Sequence, residues 1–265
     1  MATASVNGTT ITYSDSGGDG PVVVLSHGYL MDHSMFDPQV TVLTPEYRVI
    51  TWDERGFGGT RATGAFTYWD SAADVLGLLD HLGIERAVLG GMSQGGFLSL
   101  RAALQAPDRV RALILIDSQA GLENEEAAPA YEQMEEIWLA QGPTPVQDVV
   151  ASIILGPPDG PVDYTPWFVK WAQIDPQETQ FAFRCLMDRD DITSRLGEIN
   201  CPALIIHGTA DAAIPMDRAE AVRAGLAGPA TLVQIEGGSH AANLSHPEPV
   251  NAAMLSFLRS LTTGR

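Results

Sequence analysis

The sequence predicts an α/β protein: a mostly parallel central sheet flanked by helices, with a helical cap inserted over it. Three observations lead there. Short, continuous apolar runs recur along the chain, as expected of strands buried on both faces. Helical patterns fall between them, and that alternation implies right-handed crossovers and a sandwiched parallel sheet. The rhythm stops over roughly residues 120–196, where prolines and large apolar side chains replace any strong strand.

Thr9-Thr10-Ile11-Thr12-Tyr13 alternates directly after Asn7-Gly8, which reads as a hairpin at the sheet edge. Buried strands follow at Val22-Val23-Val24-Leu25, Val49-Ile50-Thr51-Trp52, Ala87-Val88-Leu89, Leu113-Ile114-Leu115-Ile116 and Ala203-Leu204-Ile205-Ile206. Leu232-Val233-Gln234-Ile235 is a weaker last one. A helix over residues 70–82 puts Ala73, Leu76, Leu79 and Leu82 on one face, and Gly83 stops it. Residues 97–104 are apolar nearly all round, so that helix should be buried. A final helix over 249–261 carries Val250, Ala253, Met254, Phe257 and Leu261 at helical spacing.

The stretch without strands holds helical segments near 132–140 and 179–187. Its apolar residues, Trp138, Trp167, Phe168, Trp171, Phe181 and Phe183 with Met134 and Met187, suit an inserted cap. The expected division is therefore a core of residues 1–119 and 197–265, with a cap of residues 120–196. A length of 265 residues suits one domain carrying such an insertion.

Composition narrows the partners. The chain is 45% hydrophobic and 18% charged, which gives it a real core. Its formal net charge of −18 repels nucleic acid and anionic membranes, and leaves a small molecule as the expected partner. Cys185 and Cys201 form no disulfide framework and lack metal-ligand spacing, so buried, reduced thiols are expected. No apolar run is long enough for a transmembrane helix, and the first residues do not read as a signal peptide. The expectation is a soluble, cytoplasmic protein with no metal and no cofactor. The oligomeric state is not readable.

Gly91-Met92-Ser93-Gln94-Gly95-Gly96 joins a buried strand to a buried helix. A serine on such a turn is lifted above the sheet edge, and small residues two positions either side let strand and helix pass closely. Serine is a weak nucleophile until a base takes its proton. His240, in Gly238-Ser239-His240, follows the last strand, and Asp211, in His207-Gly208-Thr209-Ala210-Asp211, follows an earlier one. Both occupy loops at carboxyl ends of strands, in the chain order Ser93, Asp211, His240. Asp117, at the end of another strand, is the rival acid. His246 is expected to precede the last helix in a structural role.

Ser26-His27-Gly28-Tyr29 makes a tight turn after its strand. The backbone N–H groups of Tyr29 and Gln94 are the candidates to bind an oxyanion. His27 is expected to hold the turn by hydrogen bonds. In Asp53-Glu54-Arg55-Gly56-Phe57-Gly58, the Gly-rich loop lacks P-loop spacing, so a structural turn with Arg55 paired to a carboxylate is expected.

Together these segments resemble the α/β-hydrolase superfamily over nearly the whole chain outside the cap. The resemblance implies Ser93 as nucleophile, Asp211 as acid, His240 as base, and Tyr29 and Gln94 at the oxyanion hole. Within the superfamily the chain looks closest to small capped enzymes: 3-oxoadipate enol-lactonases, carboxylesterases and meta-cleavage-product hydrolases. The serine argues against epoxide hydrolases and haloalkane dehalogenases, which carry an aspartate there. The resemblance thus implies ester or lactone hydrolysis through an acyl-enzyme. C–C bond hydrolysis of a diketone, or a slow-turnover small-molecule sensor, are the alternatives. An anionic substrate would need an inward-facing arginine, for which Arg184, Arg189 and Arg195 are the candidates.

Overall fold

The computed structural model describes residues 1–122 and 125–263. The chain opens with β1 (Ala2–Val6) and β2 (Thr9–Asp15), which pair antiparallel. Asn7 and Gly8 join them with φ of 46° and 76°. Two positive φ values in succession match the twist of the flanking strands, and Asn-Gly reaches them with little strain. Then come β3 (Val22–Ser26), a 3₁₀ turn (His33–Phe36), α1 (Asp37–Leu43), β4 (Arg48–Trp52) and α2 (Tyr68–His81). After these, β5 (Ala87–Met92), α3 (Gln94–Gln105) and β6 (Val110–Ile116) complete the middle of the sheet.

Among the described residues, four α-helices and a 3₁₀ turn (Thr193–Glu198) separate β6 from the next strand: α4 (Ala128–Gln141), α5 (Gln147–Leu155), α6 (Thr165–Trp171) and α7 (Pro176–Met187). The chain then returns through β7 (Ala203–Gly208), α8 (Met216–Gly225), β8 (Ala230–Ile235), the short α9 (Ala242–Ser245) and α10 (Pro247–Thr263). Among the described residues the strands form one sheet in the order β1-β2-β4-β3-β5-β6-β7-β8. Along that order pairing is parallel from β4 to β8, and β2 pairs antiparallel with both β1 and β4.

Burial follows position in that order. Every residue of β5 and β7 is buried, whereas β8, at the edge, buries only Ile235. That edge position is why the β8 segment has so weak an apolar pattern. Helix α3 is buried through ten of its residues, because it lies against β3, β5 and β6 and against α2.

Helix α2 begins with a capping box. The Thr67 side chain accepts from the Asp70 N–H, and the Asp70 carboxylate accepts from the Thr67 N–H. Gly83, at φ 67°, ends it. The buried face differs from the sequence expectation: Ala72, Val75, Leu78 and Leu79 are buried, while Ala73, Leu76 and Leu82 are half-buried. The stripe is rotated because Asp74 also turns inward. Its carboxylate takes both arms of the Arg55 guanidinium, at 2.6 and 2.8 Å, and the Asn7 amide at 3.0 Å. One buried acid thus ties the β1–β2 hairpin and the turn after β4 to α2.

The ends of the helical insertion lie together, since the Ile192 N–H donates to the Ala120 carbonyl at 3.0 Å. The insertion is fastened to the sheet layer at separate points. Arg101 of α3 donates to the Asp190 carbonyl and carboxylate, both at 2.7 Å. Lys170 of α6 pairs with Asp32 at 2.7 Å, and the Trp171 indole N–H donates to the Leu30 carbonyl at 2.6 Å. Trp138, Trp167, Trp171 and Phe183 are buried between the layers. Among the described residues, no helix is long and apolar enough to cross a membrane.

Because Asp74 is fully buried and Arg55 keeps little access to water, deleting one partner strands the other's charge. Asp74→Ala is expected to lower stability by about 3 kcal/mol, read as an earlier urea-unfolding midpoint. An unchanged midpoint would show that water reaches Arg55 freely.

Candidate active site

Ser93 sits between the last residue of β5 and the first of α3, with φ 51° and ψ −113°. Non-glycine residues rarely adopt this conformation, and it persists only when the surroundings enforce it. Here they do. The Ser93 N–H donates to the Ile116 carbonyl at 2.8 Å, and the Ser118 hydroxyl donates to the Ser93 carbonyl at 2.8 Å. The flanking glycines make room. A Cβ on Gly91 would lie 2.1 Å from the Gly95 carbonyl carbon, and one on Gly95 would lie 2.0 Å from the Ser26 oxygen.

Asp211 lies in the loop after β7. Its Oδ1 accepts the Ala213 and Ile214 N–H groups at 2.8 and 2.9 Å, and its Oδ2 meets His240 Nδ1 at 2.9 Å. Burial pulls this carboxyl upward, but His240 and the Ile214 N–H outweigh it and hold Asp211 below the usual carboxylate range. Asp117 is used differently. Its two oxygens accept the backbone N–H of Gly208 (2.7 Å) and of Ala242 (3.0 Å). Burial, then the neighbouring Asp211 charge, push Asp117 well above the usual range. The rival acids therefore divide: Asp211 faces the imidazole, and Asp117 fastens the end of β7 to the start of α9.

His27 holds its turn as expected. Its Nδ1 lies 2.8 Å from the Gly28 carbonyl, and its Nε2 accepts the Glu54 N–H at 2.9 Å. Both ring nitrogens are engaged by backbone, and burial pushes the ring's pKa down. His246 follows α9 and contacts the Ser245 hydroxyl at 3.0 Å. Gln94 is the first residue of α3, so its backbone N–H has no partner within the helix. Its side chain donates to Glu54 at 3.1 Å and accepts from the Tyr68 hydroxyl at 3.2 Å. Burial drives Glu54 well above its ordinary value, against the Gln94 hydrogen bond that lowers it.

Ser93, His240 and Tyr29 line one cavity of about 110 Å³, which suits a small substrate group. Its walls are apolar, with Phe97 and Met92 from the core and Met134, Trp138, Ile154 and Phe183 from the inserted helices. No lysine or arginine is among the lining residues. Arg184 is instead paired with Glu132 at 2.6 Å, and Arg195 with Glu198 at 3.0 Å. Arg189 stacks on Phe97 at 4.7 Å while donating to the Gly121 carbonyl at 3.0 Å.

One lining residue escapes the sequence expectations: Glu135 of α4. Its signal was present, since Tyr131, Met134, Glu135 and Trp138 occupy one helical stripe and all four line the cavity. An acid on an otherwise apolar stripe is the mark to look for. Asp117, His207 and Asp211 also bring ligand atoms within 4.8 Å of one another. The carboxylate oxygens are already taken by N–H groups and by His240, and His207 Nε2 by the Ile214 carbonyl at 2.8 Å, so the group reads as a clamp on the loops.

Comparison with known proteins identifies the family. Residues 21–247 match the family model described as alpha/beta hydrolase fold. The chain is 27% identical to 3-oxoadipate enol-lactonase 1 of Acinetobacter baylyi, over 96% of this chain and 95% of that protein. A thermophilic esterase from Thermogutta terrifontis is structurally similar, with a TM-score of 0.89, 28% identity and coverage of 98% and 99%. The enol-lactonase of Burkholderia xenovorans gives a TM-score of 0.88 with 27% identity, over 97% and 100%. The chain belongs to the α/β-hydrolase fold family, and it is an enzyme of that hydrolase class.

The strain at residue 93 is measurable. Glycine reaches φ 51°, ψ −113° without a Cβ penalty, so Ser93→Gly is expected to be more stable than Ser93→Ala by about 1 kcal/mol. Equal melting temperatures for the two variants would mean that the turn is unstrained.

Proposed function

We propose that this chain is a serine hydrolase that cleaves a carboxylic ester or lactone of a small, largely apolar substrate through an acyl-enzyme. One observation carries the reading: a serine held at positive φ shares an apolar cavity with a histidine whose far nitrogen rests on a buried, ionised aspartate.

His240 takes the Ser93 proton as the hydroxyl attacks the carbonyl carbon. Asp211 fixes the imidazole with Nδ1 protonated, leaving Nε2 to act as base, and stabilises the imidazolium that forms. The backbone N–H groups of Tyr29 and Gln94 receive the oxyanion, and each such donor is worth about 3 kcal/mol in transition-state stabilisation. His240 then returns the proton to the leaving alkoxide. Water, deprotonated by the same imidazole, attacks the acyl-enzyme and frees Ser93. The four inserted helices act as a cap that supplies the apolar wall.

The cavity wall also bears on which ester is cleaved. 3-Oxoadipate enol-lactone, the substrate named for the Acinetobacter relative, keeps a free carboxylate. Among the described residues no lysine or arginine lines the cavity, and Glu135 does, which disfavours the anionic acyl group of that lactone.

The test is a panel of p-nitrophenyl esters of increasing acyl length. Short and medium acyl groups are expected to turn over repeatedly, and a ring-fission dienoate not at all. Ser93→Ala should abolish turnover. Asp211→Asn should lower kcat by roughly 10⁴, whereas Asp117→Asn should chiefly lower the melting temperature. Activity surviving Ser93→Ala, or an equal kcat loss in the two aspartate variants, would contradict the assignment.

A further inference from the structure

We propose that Glu135 is a recognition site for an ammonium group, so that the esters this enzyme prefers carry a cationic amine. The inference rests on the hydrolase reading above and adds a substrate class to it.

Glu135 is only 7% exposed, on a cavity wall that is otherwise almost wholly apolar. Its Oε2 accepts the Tyr29 hydroxyl at 3.3 Å, and its Oε1 has no hydrogen-bond partner among the described residues. A buried carboxylate oxygen without a donor is costly, and a ligand that brings a donor recovers that cost. The nearest cation does not fill the role. Arg184, on the packed helix α7, gives its guanidinium to Glu132 at 2.6 Å and approaches Asp188 at 3.8 Å.

Three features select an ammonium over a hydroxyl as the missing donor. A hydroxyl satisfies a lone pair but leaves the carboxylate charge buried, whereas an ammonium supplies both donor and counter-charge. Tyr29, Tyr131, Trp138 and Phe183 line the same cavity, and aromatic faces attract a cation. The formal net charge of −18 also draws cations towards the protein.

The Glu135 carboxyl responds to its setting. Burial raises its pKa to about 7, against the Tyr29 hydrogen bond and the Arg184 charge, with Glu132 adding to the rise. Below that pH Glu135 is neutral, and above it the carboxylate is charged. Preference for an ammonium substrate therefore grows as pH rises through 7, while the amine itself stays protonated to about pH 9.

Matched ester pairs test the acyl and alcohol sides in turn. These are p-nitrophenyl 6-aminohexanoate against p-nitrophenyl heptanoate, and 4-(aminomethyl)phenyl acetate against 4-ethylphenyl acetate. In at least one pair the ammonium ester should have the higher kcat/KM. Glu135→Gln should lower it roughly tenfold or more, while the neutral ester changes by less than about threefold. The ratio within that pair should climb between about pH 6 and pH 8 in the wild type and stay flat in Glu135→Gln. Equal losses on both esters would assign Glu135 a purely structural role and overturn the proposal. So would neutral esters preferred in both pairs, or a ratio that ignores pH.

A binding arm does not depend on turnover. By calorimetry, benzylammonium should bind Ser93→Ala more tightly than benzyl alcohol does, and Ser93→Ala/Glu135→Gln should erase the difference. No difference in Ser93→Ala would overturn the ammonium site even if ester turnover is intact. A difference without any turnover would instead fault the hydrolase reading.

Discussion

Three backbone segments meet around Ser93 at distances that leave no room for a side chain. β5 enters the turn at Gly91, α3 leaves it at Gly95, and the end of β3 runs past at Ser26. This contact lets the serine hold φ 51° at the rim of the sheet with two hydrogen bonds fixing its own peptide groups. It also sets the donors proposed for the oxyanion. Gln94 begins α3 directly after the serine, and Tyr29 follows the Ser26-His27-Gly28 segment against which α3 is pressed. Moving either glycine's neighbour would move Ser93 and the donors proposed for the oxyanion together.

Buried polar groups hold the remaining loops. Asp117, its carboxyl pushed up by burial and the nearby Asp211, binds the N–H groups of Gly208 and Ala242 and so aligns the strand end before Asp211 with the segment after His240. His27 and Glu54 do the same on the other side of the serine, by way of the Glu54 N–H and the Gln94 amide. Asp211 is held low by His240 and the Ile214 N–H despite its burial. Two aspartates at neighbouring strand ends thus shift in opposite directions, one hydrogen-bonded to an imidazole and the other to backbone amides.

Much of this was legible in the sequence, for physical reasons. Central strands buried on both faces must be continuously apolar, so β3 to β7 stand out. The loops at the carboxyl ends of β5, β7 and the weaker β8 then identify Ser93, Asp211 and His240 as residues to watch. Less visible were α8, which buries only Ala219 and Val222, and the short α6, which lies within a Pro-rich stretch. The face of α2 was misjudged because a buried ion pair, Arg55 with Asp74, brings a charged residue inward where hydrophobic spacing cannot register it. Glu135 was hidden the same way: on a helix, a lone acid reads as solvent-facing until the stripe around it is known to line a cavity.

The central claim is that Ser93 is the nucleophile, and covalent capture addresses it without reference to any substrate. A fluorophosphonate should add once per chain, on the tryptic peptide spanning residues 87–101, with fragment ions placing the adduct on Ser93 and not on Ser99. An adduct elsewhere, or ester turnover that continues in protein fully labelled at Ser93, would contradict the account.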